Sequence, residues 1–147
     1  LYHQHLQGAI LLSTGMDALW KLRYGFPQFM VLGEEDRKRI VAEEPKLYTL
    51  IGKSLDAYAT PDRTQAEMDA LRELQASFQR YVDARPKWFA LYGAGRIQEA
   101  AEWRARTTTP FGAETVRAFE RQIALQQDVT NADIAKNIRQ AENASLD

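Results

Sequence analysis

The sequence predicts an all-α protein, an antiparallel up-down-up-down four-helix bundle, and three observations carry the prediction. Two long segments repeat apolar residues at alternating steps of three and four, the spacing of a helix seam. No stretch alternates with the period of two that marks a half-buried strand. Glycine and proline turns fall between the periodic segments, and short connections favour antiparallel neighbours. A chain of 147 residues suits one core, so residues 1–147 are read as a single unit.

The first helix is expected over about residues 1–32. Ala9, Leu12, Met16, Leu19, Arg23, Phe26 and Met30 form its seam, in which Arg23 is the one charged member. Pro27 has no N–H and should kink or end the helix, at a cost of ~3 kcal/mol. Gly33 suits a C-cap. The acidic run Glu34-Glu35-Asp36 then fits the positive end of a second helix, placed at about 36–59, with Ile40, Glu44, Leu47, Ile51 and Tyr58 on one face and Pro45 interrupting it. After the turn at Thr60-Pro61, Thr64 and Glu67 have the spacing of a capping box. They open a third helix over about 64–92. Its seam is Leu71, Leu74, Phe78, Tyr81, Arg85, Trp88 and Tyr92, again with one charged position, Arg85. Pro86 should bend it and Gly93-Ala94-Gly95 should end it. The last helix spans about 96–146 with a break near 107–110, resuming with Thr109 as N-cap and Pro110 in the first helical position. Val116, Phe119, Ile123, Thr130, Ile134 and Ile138 mark its expected buried face. No internal repeat points to a solenoid.

Composition excludes several function classes. Apolar residues make up 45% of the chain, charged residues 27%, and the formal charge is −1, which implies neither disorder nor a field for nucleic acid. With no cysteine there are no disulfides, thiolate metal sites or covalently attached haem. No Glu-x-x-His pair supports a di-metal bundle site. His3 and His5, two apart, point to different sides of a helix. No metal or cofactor is therefore expected. No serine or carboxylate grouping suggests a nucleophile or an acid and base pair, so no catalytic residues are expected and the chain is read as not an enzyme. No apolar run reaches the ~20 residues of a membrane span. Both ends read as helix in mid-course, so the natural protein is expected to continue in both directions.

The stretch Leu91-Tyr92-Gly93-Ala94-Gly95-Arg96-Ile97-Gln98-Glu99, followed by Phe119-Glu120-Arg121-Gln122 and Glu142-Asn143-Ala144-Ser145, resembles the sensor domain of bacterial methyl-accepting chemotaxis receptors of the aspartate and serine type. Ala57-Tyr58-Ala59-Thr60-Pro61 falls where that family joins its second and third helices. The resemblance covers most of the chain. It implies a periplasmic domain of an inner-membrane protein, homodimeric and flanked by transmembrane helices, that signals through its first and last helices. Aspartate receptors place three arginines along the upper first helix. Here Arg23 stands there alone, with Lys21 nearby, so the resemblance implies an anionic ligand without implying aspartate.

Arg23 lies ten residues before Gly33 and Arg85 eight before Gly93. At ~1.5 Å per residue, both fall roughly 12 to 18 Å from the turns at that end, level with the break in the last helix. An unpartnered buried guanidinium costs several kcal/mol. The expected site is therefore a small anion pocket in which Arg23 and Arg85 hold carboxylate, Thr107, Thr108 and Thr109 cap it, and Tyr24, Tyr81, Trp88 and Arg106 surround it. A di- or tricarboxylate matches two arginines best, and an amino acid is the other candidate. The alternative is internal pairing with Asp83 or Glu102 in a ligand-free dimerisation bundle. A third reading is the sensor of a histidine kinase or cyclic-dinucleotide enzyme.

Overall fold

The computed structural model describes residues 2–146; the ends expected at Leu1 and Asp147 lie outside them. Every regular element among the described residues is helical: α1 (Tyr2–Val31), α2 (Glu34–Tyr58), α3 (Gln65–Gly93), α4 (Ile97–Arg106) and α5 (Thr108–Leu146). The helices pack as a bundle, with α1 against α2 and α3 against α4 and α5, while α5 also lies along α1. Among the described residues, no helix is long and apolar enough to cross a membrane.

Local chemistry sets the boundaries. Gly33, expected as a C-cap, is instead the extended N-cap of α2, and Glu34, Glu35 and Asp36 occupy the first turn, where unpaired N–H groups favour negative charge. The Thr64–Glu67 capping box forms in both directions, at 3.1 and 3.0 Å. Gly95 adopts φ 80°, a left-handed conformation costly for any other residue, and its turn returns Arg96 N to Leu91 O. Pro27, Pro45 and Pro86 sit inside helices, each with its ring exposed.

The core has two parts. The larger gathers Leu12, Leu19, Leu22, Ile51, Leu55, Leu71, Leu74, Phe78 and Phe119. The smaller, near the α1–α2 and α3–α4 turns, is mostly aromatic: Phe26, Phe29, Trp88 and Phe89 meet with ring centroids 4.3 to 5.7 Å apart. Arg85 and Glu44 sit where the two parts meet. At the opposite end, Tyr58 donates to Glu67 (2.7 Å), Arg63 stacks on Tyr58 and donates to Gln126 (3.0 Å), and His5 Nε2 meets Asp133 at 2.7 Å.

The α1 seam differs from the expected one. Its buried residues are His5, Gly8, Leu12, Gly15, Ala18, Leu19, Leu22, Gly25, Phe26 and Phe29, while Ala9 and Met30 are exposed and Met16 and Arg23 half-buried. Arg23 therefore flanks the seam. On α5 the buried row is Thr108, Gly112, Thr115, Phe119, Gln122 and Gln126. Of the apolar residues expected there, only Phe119 is fully buried, and Ile134 and Ile138 are exposed.

Candidate anion-binding cavity

The break between α4 and α5 places the site. Thr107, with φ −127° and ψ −77°, ends α4, and Pro110 has no N–H to offer the Arg106 carbonyl, so the chain must restart its helix here. The restart comes two residues earlier than expected. Thr108, not Pro110, opens α5, because the first turn needs no intrahelical N–H donors. Thr107 bonds back to Trp103 O through both its N–H (2.9 Å) and its hydroxyl (2.6 Å).

Beside this break is a cavity of about 250 Å³ lined by Trp20, Arg23, Tyr24, Phe26 and Pro27 of α1, Tyr81 of α3, Arg104 of α4, and Thr108 and Thr109 of α5. Two features give it chemistry. Thr108 is 2% exposed, and its hydroxyl has no hydrogen-bond partner. A buried hydroxyl left in that state costs roughly 1–3 kcal/mol. Among the described residues, Arg23 and Arg104 have no carboxylate within 4.0 Å, whereas Arg63, Arg80, Arg85, Arg96 and Arg121 all do. Arg23 lies over Trp20 at 4.8 Å. Arg104 lies over Phe26 at 5.2 Å, and its one hydrogen bond is to the Met30 sulfur at 3.6 Å, a weak acceptor. Loss of solvent pushes the Arg104 pKa down; Tyr81 opposes this, and Arg85 and Arg23 add to it by repulsion. An anion between Arg23 and Arg104 would relieve that repulsion.

Arg85 does not face this cavity. It is fully buried and spends four of its five N–H donors internally, on both Glu44 oxygens (2.7 and 3.1 Å), Leu22 O (2.7 Å) and the Tyr81 hydroxyl (2.5 Å). Neither Asp83 nor Glu102 is its partner: they bond Gln79 and Gln98 on their own helices. Gly25 lies against the guanidinium, and a Cβ there would stand 3.4 Å from Nη2, in van der Waals contact. The other expected residues divide as follows. Arg23, Tyr24, Tyr81, Thr108 and Thr109 meet at the cavity, and Thr107 is used as a cap. Arg106 is exposed and reaches only Glu102 O, at 3.5 Å. Trp88 belongs to the aromatic core and lines a neighbouring hollow of about 340 Å³. The residue missing from the sequence reading is Arg104. Two positions from Arg106 it points the opposite way around α4, and it shares the cavity wall with Thr108 across the break.

A larger groove of about 570 Å³ runs between α1 and α5, lined by Leu6, Ala9, Met16, Trp20, Ile123 and others. The one potential cation in its wall, His5, is already held by Asp133, so it is not the anion site. No group of three metal-ligating side chains occurs among the described residues. Compared with known proteins, the chain matches no family model, no curated protein and no solved structure. Its role is therefore read from the cavity.

Proposed function

We propose that this chain is the extracytoplasmic sensor domain of a transmembrane chemoreceptor and binds a small organic anion in the cavity between α1, α3 and the α4–α5 break. The carrying observation is the pair Arg23 and Arg104, both half-buried and both without a carboxylate, around a buried, unpartnered Thr108 hydroxyl. In a protein whose other half-buried and buried arginines are paired or bonded to carbonyls, this combination calls for a ligand. The site binds and does not catalyse. In this proposal the helices run up, down, up and down. The anion ties α1 to the last helix and shifts one against the other toward an inner membrane, from the periplasmic side. Two of these domains form a homodimer; the apolar groove between α1 and α5, with Leu6 48% and Trp20 40% exposed, supports that partner.

Titration calorimetry with a panel of di- and tricarboxylates and amino acids tests the reading. At least one carboxylate should bind, and Arg23→Ala and Arg104→Ala should each remove binding while the variants remain folded. Full affinity in both variants would sink the site. Arg85→Ala, by contrast, should chiefly destabilise the apo protein.

A further inference from the structure

The polar side chains that meet the cavity differ in what they can offer. Arg23 and Arg104 are permanent cations, and no carboxylate lines the wall. The Tyr81 hydroxyl accepts from Arg85 Nη1 at 2.5 Å, so its own proton is free to be donated. Burial raises its pKa; Arg85 and Arg23 oppose and Glu44 assists, and the net rise keeps the phenol protonated at neutral pH. Gly112 makes this placement possible, because a Cβ there would stand 3.0 Å from the Tyr81 ring. The Thr108 hydroxyl, buried and unpartnered, can donate or accept. The volume of about 250 Å³ is below that of sites for drug-sized ligands.

Resting on the reading of this cavity as an anion site, we infer that its side chains form a cationic lining without a carboxylate that takes a small dicarboxylate free of any ammonium group and rejects the amino acid of the same carbon skeleton. Two carboxylates match the two unpaired guanidiniums, and the Tyr81 proton supplies a further donor. An ammonium placed among them would give up water, meet two cations, and find no carboxylate to accept its protons. A hydroxyl on the same carbon has no such penalty, since Thr108 Oγ1 can pair with it.

Succinate, malate and aspartate share four carbons and differ in bearing hydrogen, hydroxyl or ammonium at C2. Calorimetric titration of the 147-residue chain with each, and with sulfate as a dianion lacking a carbon skeleton, separates the possibilities. Succinate and malate should bind at least tenfold more tightly than aspartate. Tyr81→Phe should weaken both diacids several-fold, and Thr108→Val should weaken malate more than succinate. Thermal melting of each variant keeps loss of folding apart from loss of binding. Aspartate binding as tightly as malate, in a manner abolished by Arg104→Ala, overturns the selectivity and leaves the anion site standing. So does sulfate binding with none of the three acids. If neither the acids nor sulfate bind, or if binding survives both arginine substitutions, the anion site falls and the selectivity with it.

Discussion

Arg85 and Glu44 form a buried ion pair contributed by different helices, and the two residues are not symmetric in what they hold. Arg85 also supports Tyr81 and the Leu22 carbonyl, whereas Glu44 additionally accepts from Tyr48 at 2.7 Å. Such a pair adds little net stability over an apolar replacement, but removing one partner strands a charge. Glu44→Ala should therefore cost about 3–5 kcal/mol in urea unfolding. The double substitution Glu44→Leu with Arg85→Met should cost less than Glu44→Ala alone, and the reverse order would refute this account. Buried tyrosines give a second prediction. Burial, the first cause in each case, raises the pKa of both Tyr58 and Tyr81 above the ordinary 10.0. Above about pH 10 the unfolded chain then loses protons that the folded chain keeps, so stability falls as pH rises, by at most ~1.4 kcal/mol per pH unit for each tyrosine. Urea midpoints measured from pH 9 to 11 should decline, and Tyr58→Phe should flatten the slope; a profile unchanged by that substitution would exclude Tyr58 as a source. Arg85 was legible in the sequence as a charged residue in a seam. So was Glu44, on the face of the second helix. Pairing them needed the register between helices, because Asp83 and Glu102, nearer in the chain, are turned away from Arg85.

At the scale of the helix, apolar periodicity locates the seam of the third helix and misplaces those of the first and last, for one physical reason. Apolar periodicity cannot count glycine, threonine or glutamine, yet these fill the buried rows of α1 and α5. Leu12, Leu19 and Phe26 belong equally to the observed row and to one running through Ala9, Met16 and Arg23, and the second contains more apolar residues. Glycines decide the matter by what they admit. Gly15 receives the Phe119 ring, which a Cβ would approach to 3.0 Å, and Gly8 receives Arg63, whose Nη2 would be 2.7 Å away. Gly52, in the middle of α2, admits nothing within 4 Å. Alanine substitution should separate the two kinds. Gly15→Ala overpacks the seam and should destabilise by about 1–3 kcal/mol. Gly52→Ala gains helix propensity without a clash and should stabilise by about 0.5–1 kcal/mol. Equal effects in thermal unfolding would mean that the close approach of Phe119 is easily relieved.

For the whole molecule, α1 and the α4–α5 segment are joined differently at their two ends. Away from the cavity, His5 bonds Asp133 directly, and Gln126 accepts from Arg63 of the α2–α3 turn. At the other end Arg23 of α1 faces Arg104 of α4 and Thr108 of α5 across the cavity, where the two guanidiniums repel and the one hydrogen bond from Arg104 to α1 is the weak one to the Met30 sulfur. This is also where helix continuity is weakest, since Thr107 alone bridges α4 to α5 through its bonds to Trp103 O and from Phe111 N. The bundle could be read from the sequence because turns and helix periods are local. The cavity could be read only in part, because it depends on which way Arg104 turns just before the break. An anion held by Arg23, Arg104 and Thr108 would supply the missing link, so opening the break would require its release. With a dicarboxylate at one hundred times its Kd, that linkage is worth ~2.7 kcal/mol, and local exchange of the Thr107 and Phe111 amides should slow by up to about 100-fold. Amides around Asp133, which has its own bond to α1, should change much less. Arg104→Ala should abolish the local protection. Hydrogen exchange that slows equally along the whole of α5 would point to global stabilisation, and the α4–α5 break would then have no special part in reading the ligand.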